Sequence, residues 1–360
     1  MTMSATPPPL SRADVLRQCQ RAEPVIGHDL SALDLADADL SGTMFERCTF
    51  VGMPMQRADL TESQFRQCTF SKLSLEGCIA KNTSFVESTF ERVVMTGAAL
   101  TNVTFAYCTV DGRALNGAAL DFTVFTGCTL DKLLLKDARL LKSIFSECKT
   151  GALDFSGAQL ERTVLLGCDL RQARFGGAHI DTVVFIQANL AGHSFVGQAL
   201  VHAQFMNADL TGADFSESRI AQANFQGAKL AGAVFDKAHA PNAIFMEADL
   251  TAARFVGTVL TQALFVGAKA AGAQFVGANL HQANFDGAQL AGAWLTDCEL
   301  TYADFSHADL TNADLRGATL FRANLHAVVD DGAQFSDRLR ALESDAELVT
   351  AEGWRAQPVA

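Results

Sequence analysis

Large apolar residues return at every fifth position along this chain. Counting from Leu30, the series Leu30, Leu35, Leu40, Phe45, Phe50, Met55, Leu60, Phe65, Phe70, Leu75 keeps its phase as far as Leu325. Two residues before each stands a small side chain, as at Ala38, Cys48, Ala58, Ser63, Ala208 and Ala313, and the bare unit reads Ala208-Asp209-Leu210-Thr211-Gly212. Such a period matches neither a helix at about 3.6 residues nor a flat strand at about 2, so the pattern is that of an internal repeat.

A longer period sits on top of it. Phenylalanine stands at Phe45, Phe65, Phe85, Phe105, Phe125 and Phe145, and after Leu165 it returns at Phe185, Phe205, Phe225, Phe245, Phe265, Phe285 and Phe305. Leu40, Leu60, Leu100, Leu120, Leu140, Leu160, Leu200, Leu260, Leu280, Leu300 and Leu320 form a second column on the same spacing, Cys48, Cys68, Cys108, Cys128, Cys148 and Cys168 a third, and Thr43, Ser63, Thr83, Thr123, Ser143 and Thr163 a fourth. Columns of like residues every twenty positions predict a coil with four unequal sides, stacked so that like lies on like.

These residues resemble those of the pentapeptide-repeat proteins, over residues 30–325. The resemblance implies an all-β fold, a right-handed four-sided β-helix in which the central Leu or Phe and the small residue two before it point inward and the other three face solvent. At twenty residues a turn, roughly fifteen coils result, with adjacent strands about 4.8 Å apart. The lead-in, Arg12-Ala13-Asp14-Val15-Leu16 through Leu30-Ser31-Ala32-Leu33-Asp34-Leu35, is similar to that of pentapeptide-repeat proteins associated with bacterial type VI secretion.

The ends depart from the beat and predict caps, as a solenoid with open sheet edges requires. Residues 1–10, with three consecutive prolines, read as a disordered tail. Within 11–24, Ser11 and Asp14 stand at capping-box spacing, with Val15, Leu16, Cys19 and Ala22 on one face of a helix over 12–22. The β-helix is assigned to 25–329, because Asp330 would be an inward carboxylate. In 330–350, Ser336 caps a helix over 336–349 whose buried stripe is Leu339, Leu342, Ala346 and Val349, and 351–360 reads as a loose tail. Inside the coils, Arg113 must be swung outward by a bulge, His193 and Gln198 occupy positions meant for small residues, and Thr150, Ala240, Ala270 and Pro241 are soft spots.

Composition changes the picture little. The chain is 49% hydrophobic and 19% charged, as expected of a repeat core, and no apolar run is long enough to span a membrane. The first ten residues carry no positive n-region and no apolar h-region, so the expected location is cytoplasmic. The nine cysteines include no C-x-x-C pair and fall on inward positions, where they act as small hydrophobes rather than as disulfides or metal ligands. Phosphate-binding, dinucleotide-binding, nucleophile-elbow and zinc-protease motifs are missing, the eight histidines are scattered rather than paired at ligand spacing, and Asp34, Asp37 and Asp39 do not follow EF-hand spacing. No catalytic residue, cofactor or metal is assigned, and the chain is read as not an enzyme.

Net charge is −12, which raises the DNA mimicry by which family members engage type II topoisomerases such as gyrase. Acidic and basic residues are interleaved along most of the chain, however, and only 286–314 is of one sign, with Asp297, Glu299, Asp304 and Asp309. With no basic stripe, direct nucleic-acid binding is not expected.

The outward positions flanking the Phe column carry the most specific signal. They read Val124, Ile144, Val164, Val184, Ile244 and Leu264 before the column, broken by Gln204 and Asn224, and Leu166, Ile186, Met206, Met246 and Val266 after it, broken by Gln226. Apolar residues that should be polar predict an exposed apolar face. The reading is of a rigid scaffold or adaptor that meets a protein partner there, either another protein or a second copy in a homodimer.

Overall fold

The structure, a computed structural model, describes residues 9–111 and 115–352, and the chain divides into two compact units, Met1–Asn189 and Leu190–Ala360. The bulge expected at Arg113 and most of the two expected tails lie outside the described residues.

Both units are parallel β-solenoids, about 15 coils in total. In the first unit, eight short strands form one sheet running from Val25–Ile26 to Val164–Leu166, and six form another between Thr49–Val51 and Lys149–Thr150. Every pairing joins residues twenty apart: Phe45 with Phe65, Phe65 with Phe85, Phe125 with Phe145. Through most of the second unit single bridges keep the same spacing, and one coil shows four of them, Ser194 to Asp214, Ala199 to Arg219, Gln204 to Asn224 and Asp209 to Lys229. Those bridges are the four sides required by the twenty-residue period.

Each inner position is filled according to its column. Phe205, Phe225, Phe245 and Phe265 stack with ring centroids 4.9–5.0 Å apart, and the opposite column of Phe215, Phe235 and Phe255 meets them edge-on. In the first unit Phe45, Phe65 and Phe85 instead meet an adjacent column, Phe50, Phe70 and Phe90. All are fully buried. Offset and edge-to-face rings gain about 0.5–1.5 kcal/mol per pair beyond their buried area.

The small inward residues do more than fit. Ser63, Thr83 and Thr163 donate their hydroxyls to the carbonyls of Leu40, Leu60 and Leu140 on the preceding coil, and Cys68, Cys108 and Cys128 aim their thiols at the carbonyls of Phe45, Phe85 and Phe105. All nine cysteines are free and buried. Burial pushes Cys78 and Cys168 up to about 12, so both stay protonated and unreactive. Where an Asp or Asn precedes the central residue it can close the turn that follows, as Asp39, Asp209, Asn224 and Asp309 do by accepting the backbone N–H two residues on. That bond is the one an Asx-turn makes. The turns place their third residue at positive φ, tolerable for Asn207 (φ 55) and free of strain for Gly212 (φ 66).

Helix α1, Arg12–Gln20, starts with the capping box at Ser11 and Asp14. It buries Val15 and Cys19, one helical turn apart, while Leu16 is half-buried and Ala22 is exposed beyond the helix end.

The other end differs from its expected form. The coil does not stop before Asp330: Val329 bridges Asp309, and Gln334–Phe335 pairs with Asp314–Leu315. Asp330 is tolerated because it is only half-buried and pairs with Arg338, which also pairs with Glu343 and lies over the Phe335 ring. The single helix expected over 336–349 is replaced by a 3-10 turn at Arg338–Arg340, a bridge from Leu342 to Asn324, and a short helix α2, Ala346–Glu352. Leu339, Leu342, Ala346 and Val349 are all exposed. Strand pairing at the open edge takes Leu342, and α2 is too short to present a buried stripe.

Candidate protein-binding face

The apolar outer positions follow directly from the register. In the first unit Val124 pairs with Ile144, Ile144 with Val164 and Val164 with Val184. The four side chains therefore lie in one row on neighbouring strands. Their amides are spent on the inner ladder, Ile144 N–H on Thr123, Val164 on Ser143 and Val184 on Thr163, at 2.8–2.9 Å. Leu166 and Ile186 form a second row beyond the inner column, joined by the Gly167 N–H donated to the Ile186 carbonyl at 3.0 Å. In the second unit Ile244 bridges Leu264, with Asn224 and Asn284 at either end, and Met246 lies beside Val266 through the Glu247 N–H. Within the second unit Gln226 occupies the coil between Met206 and Met246.

All eleven are half-buried rather than open. Stacking supplies the reason: a branched side chain about 4.8 Å from its neighbours on both sides is covered along its flanks and shows solvent only its tip. Several large apolar side chains elsewhere are more open, and the aromatic ones among them include Tyr107, Trp294, Tyr302 and Phe321, exposed by 66%, 54%, 46% and 41%. Tyr302 and Phe321 meet edge-on at 5.9 Å, with Arg322 and Arg340 over their rings. Nothing in the repeat pattern singles these four out, because they stand at positions where it predicts solvated residues of any type.

The acidic stretch is bound up in its own turns. Glu299 accepts the Thr301 N–H, Asp309 that of Thr311, and Asp304 accepts from the Ser306 N–H, the Ser306 hydroxyl and the Asn324 amide. Three of the four carboxylates thus point along the wall rather than outward like phosphates.

His193 is half-buried with its ring 4.8 Å from that of Phe195, and burial lowers its pKa. Asp34 and Asp39 close turns and Asp37 pairs with Arg57 at 2.6 Å, which accounts for the three aspartates without a cation. No helix among the described residues is long and apolar enough to cross a membrane.

Family models match the repeat region. A family model described as a pentapeptide repeat region matches residues 98–175 and 218–295, and one for pentapeptide repeats matches 34–71, 183–217 and 298–328. Among solved structures, a pentapeptide repeat protein from the Arabidopsis thaliana thylakoid lumen is 34% identical over 31% of this chain and 68% of its own, with a TM-score of 0.19. HetL, a pentapeptide repeat protein involved in heterocyst differentiation regulation from the cyanobacterium Nostoc, is 21% identical over 87% of this chain and 96% of its own, TM-score 0.16. Full-length QnrB1, a plasmid-mediated fluoroquinolone resistance protein, is 19% identical over 75% and 97%, TM-score 0.15. No curated protein matches the sequence.

Proposed function

Since the chain belongs to the pentapeptide-repeat family, we propose that it is a non-enzymatic scaffold whose binding surface is the apolar outer face of the Met1–Asn189 unit, and that the partner is a second copy of the chain. The observation that carries this is the uninterrupted row of Val124, Ile144, Val164 and Val184, in register on four successive strands. A flat uncharged row related to itself by a two-fold axis is complementary to itself, which suits an isologous contact. Strand propensity alone does not explain the row, because the other sides make the same strands with polar residues such as Thr109 and Thr129. A setting in bacterial type VI secretion rests on the lead-in residues alone.

Replacing Val164, Val184 and Ile186 together with Asp tests the reading. The β signal in circular dichroism should persist while the mass by light scattering halves. A wild-type chain that is already monomeric at tens of micromolar overturns the homodimer. Submicromolar inhibition of gyrase supercoiling, abolished by neutralising Asp297, Glu299, Asp304 and Asp309, would replace the scaffold with DNA mimicry.

A further inference from the structure

At the far end of the second unit two histidines and a glutamate converge. His307 follows Phe305 by two residues and His326 follows Leu325 by one, so consecutive coils bring their rings together edge-on with centroids 5.5 Å apart. Glu352, the last residue of α2, reaches across to both. Its Oε2 lies 3.1 Å from His307 Nε2 and 3.1 Å from His326 Nε2, and the three candidate ligand atoms are all within 4.8 Å of one another. The other nitrogen of His307, Nδ1, lies 2.9 Å from the Asp286 carboxylate. His326 is buried, while His307 and Glu352 keep side-chain exposures of 47% and 39%.

We propose that His307, His326 and Glu352 bind a divalent transition-metal ion of the zinc class. Two imidazole nitrogens and a carboxylate oxygen are a donor set such ions prefer, and tetrahedral bonds of about 2.0–2.1 Å put ligand atoms about 3.3 Å apart. Two of the three edges are already close to that length. Asp286 supplies the outer carboxylate that orients a ligating imidazole by accepting its remaining N–H, leaving His307 Nε2 free for the metal. Charge also balances, since two carboxylates and two neutral imidazoles neutralise a dication, and no lysine or arginine lies within 286–314. His326 must carry its proton on Nδ1 to ligate, which gives up the long 3.3 Å approach of the Asp345 N–H; that is a small loss against a metal bond.

The ion would act as a clasp. Helix α2 has no fully buried residue, so it adds little core of its own, and Glu352 ties its C-terminal end to the last coils. A metal bound there would fasten α2 over the end of the second unit, a metal contribution to local folding in place of a core.

The test uses the full chain, stripped with a chelator and titrated with zinc chloride against a chromogenic competitor. One equivalent should bind, with X-ray absorption showing nitrogen and oxygen ligands and no sulfur. Glu352→Gln and His307→Ala should each weaken binding by at least tenfold, and Asp286→Asn by about 10–100-fold. Zinc should slow amide exchange across Ala346–Glu352 in the wild type and not in Glu352→Gln, a substitution at an exposed side chain that leaves the coils folded. Absence of saturable zinc uptake, binding untouched by Glu352→Gln and His307→Ala, or preference for magnesium or calcium over zinc would each overturn the site. None of these readouts depends on the oligomeric state.

Discussion

Phe225 lies flat on Phe245, the ring centroids 4.9 Å apart and the planes within 2° of parallel. Each ring is also met edge-on by Phe235, at 5.7 and 5.6 Å. Three aromatic rings therefore share one contact, and no member can be truncated without leaving a void. Phe225→Ala should cost about 3–5 kcal/mol, read as a lowered urea midpoint. Lys229→Ala, on an outward side chain 3.9 Å from Asp209, should stay within about 0.5 kcal/mol.

The inward hydroxyls make a sharper prediction, because it separates volume from hydrogen bonding. Thr123 Oγ1 donates to the Leu100 carbonyl at 2.5 Å in a fully buried setting. Thr123→Val keeps the shape and leaves that acceptor short of a donor, at a cost of about 1–3 kcal/mol. Thr123→Ser keeps the donor and should cost less than Thr123→Val. Equal losses in the two variants would show that the bond adds little.

The five- and twenty-residue beats make most of the fold legible without coordinates, because in a solenoid each inner position touches its own counterpart one coil away. Phe125 and Phe145 had to pair, and do. What the beat does not encode is contact between different columns. Phe215, Phe235 and Phe255 stand in the five-residue series like any other central residue, yet they form the second aromatic wall. The ends escape for a related reason: Asp330 violates the inner rule, and its acceptance depends on Arg338, outside the repeat. His307 and Glu352 are 45 residues apart, so no local ligand spacing announces them, although two histidines at turn positions on consecutive coils of one side are a usable signal. The apolar row is legible in full, and its half-burial is not, since burial there comes from the neighbours' flanks.

Acid should loosen the turns. Asp29, Asp39 and Asp309 have pKa values lowered below their ordinary 3.8, chiefly by side-chain hydrogen bonds from Ser31, Ser41 and Thr311. A carboxyl whose folded pKa lies under its unfolded one binds fewer protons when folded. Its stabilisation is therefore complete above the unfolded value and is lost as pH falls through the folded one. Stability should be level with respect to these groups above about pH 5 and decline below about pH 4. Replacing all three by Asn keeps the acceptor oxygen and removes the titration. That variant should match wild type at pH 7 and show a shallower decline in acid, followed by thermal melts across pH.

Gly127 tests a close approach between coils. Its φ is +60° and a Cβ there would come within 2.7 Å of the Tyr107 ring. Gly127→Ala should destabilise by about 1–2 kcal/mol from the left-handed backbone alone, and more while Tyr107 is present. In the double variant with Tyr107→Ala the excess should vanish and the backbone cost remain. A cycle with no coupling between the two would mean that the tyrosine ring is free to move aside.

The pairing of Asp330 with Arg338 gives the last prediction. Asp330 stands where Leu290 and Leu310 stand on the two coils before it, so the column ends in a carboxylate where shape calls for an alkyl group. Arg338 compensates it from outside the coil, and both side chains keep partial exposure, 27% and 37%, which limits the pair's worth to about 1 kcal/mol. Arg338→Ala should therefore destabilise the end of the second unit, by that amount plus the lost contact with Phe335. Asp330→Leu together with Arg338→Ala should recover the loss, because a half-buried ion pair replaced by packed apolar groups is often neutral or stabilising. Hydrogen exchange at Gln334 and Phe335, which pair with the coil before them, would report it locally. Faster exchange in the single variant and wild-type rates in the double one are expected; faster exchange in both would show that the ion pair, rather than the column, holds that edge.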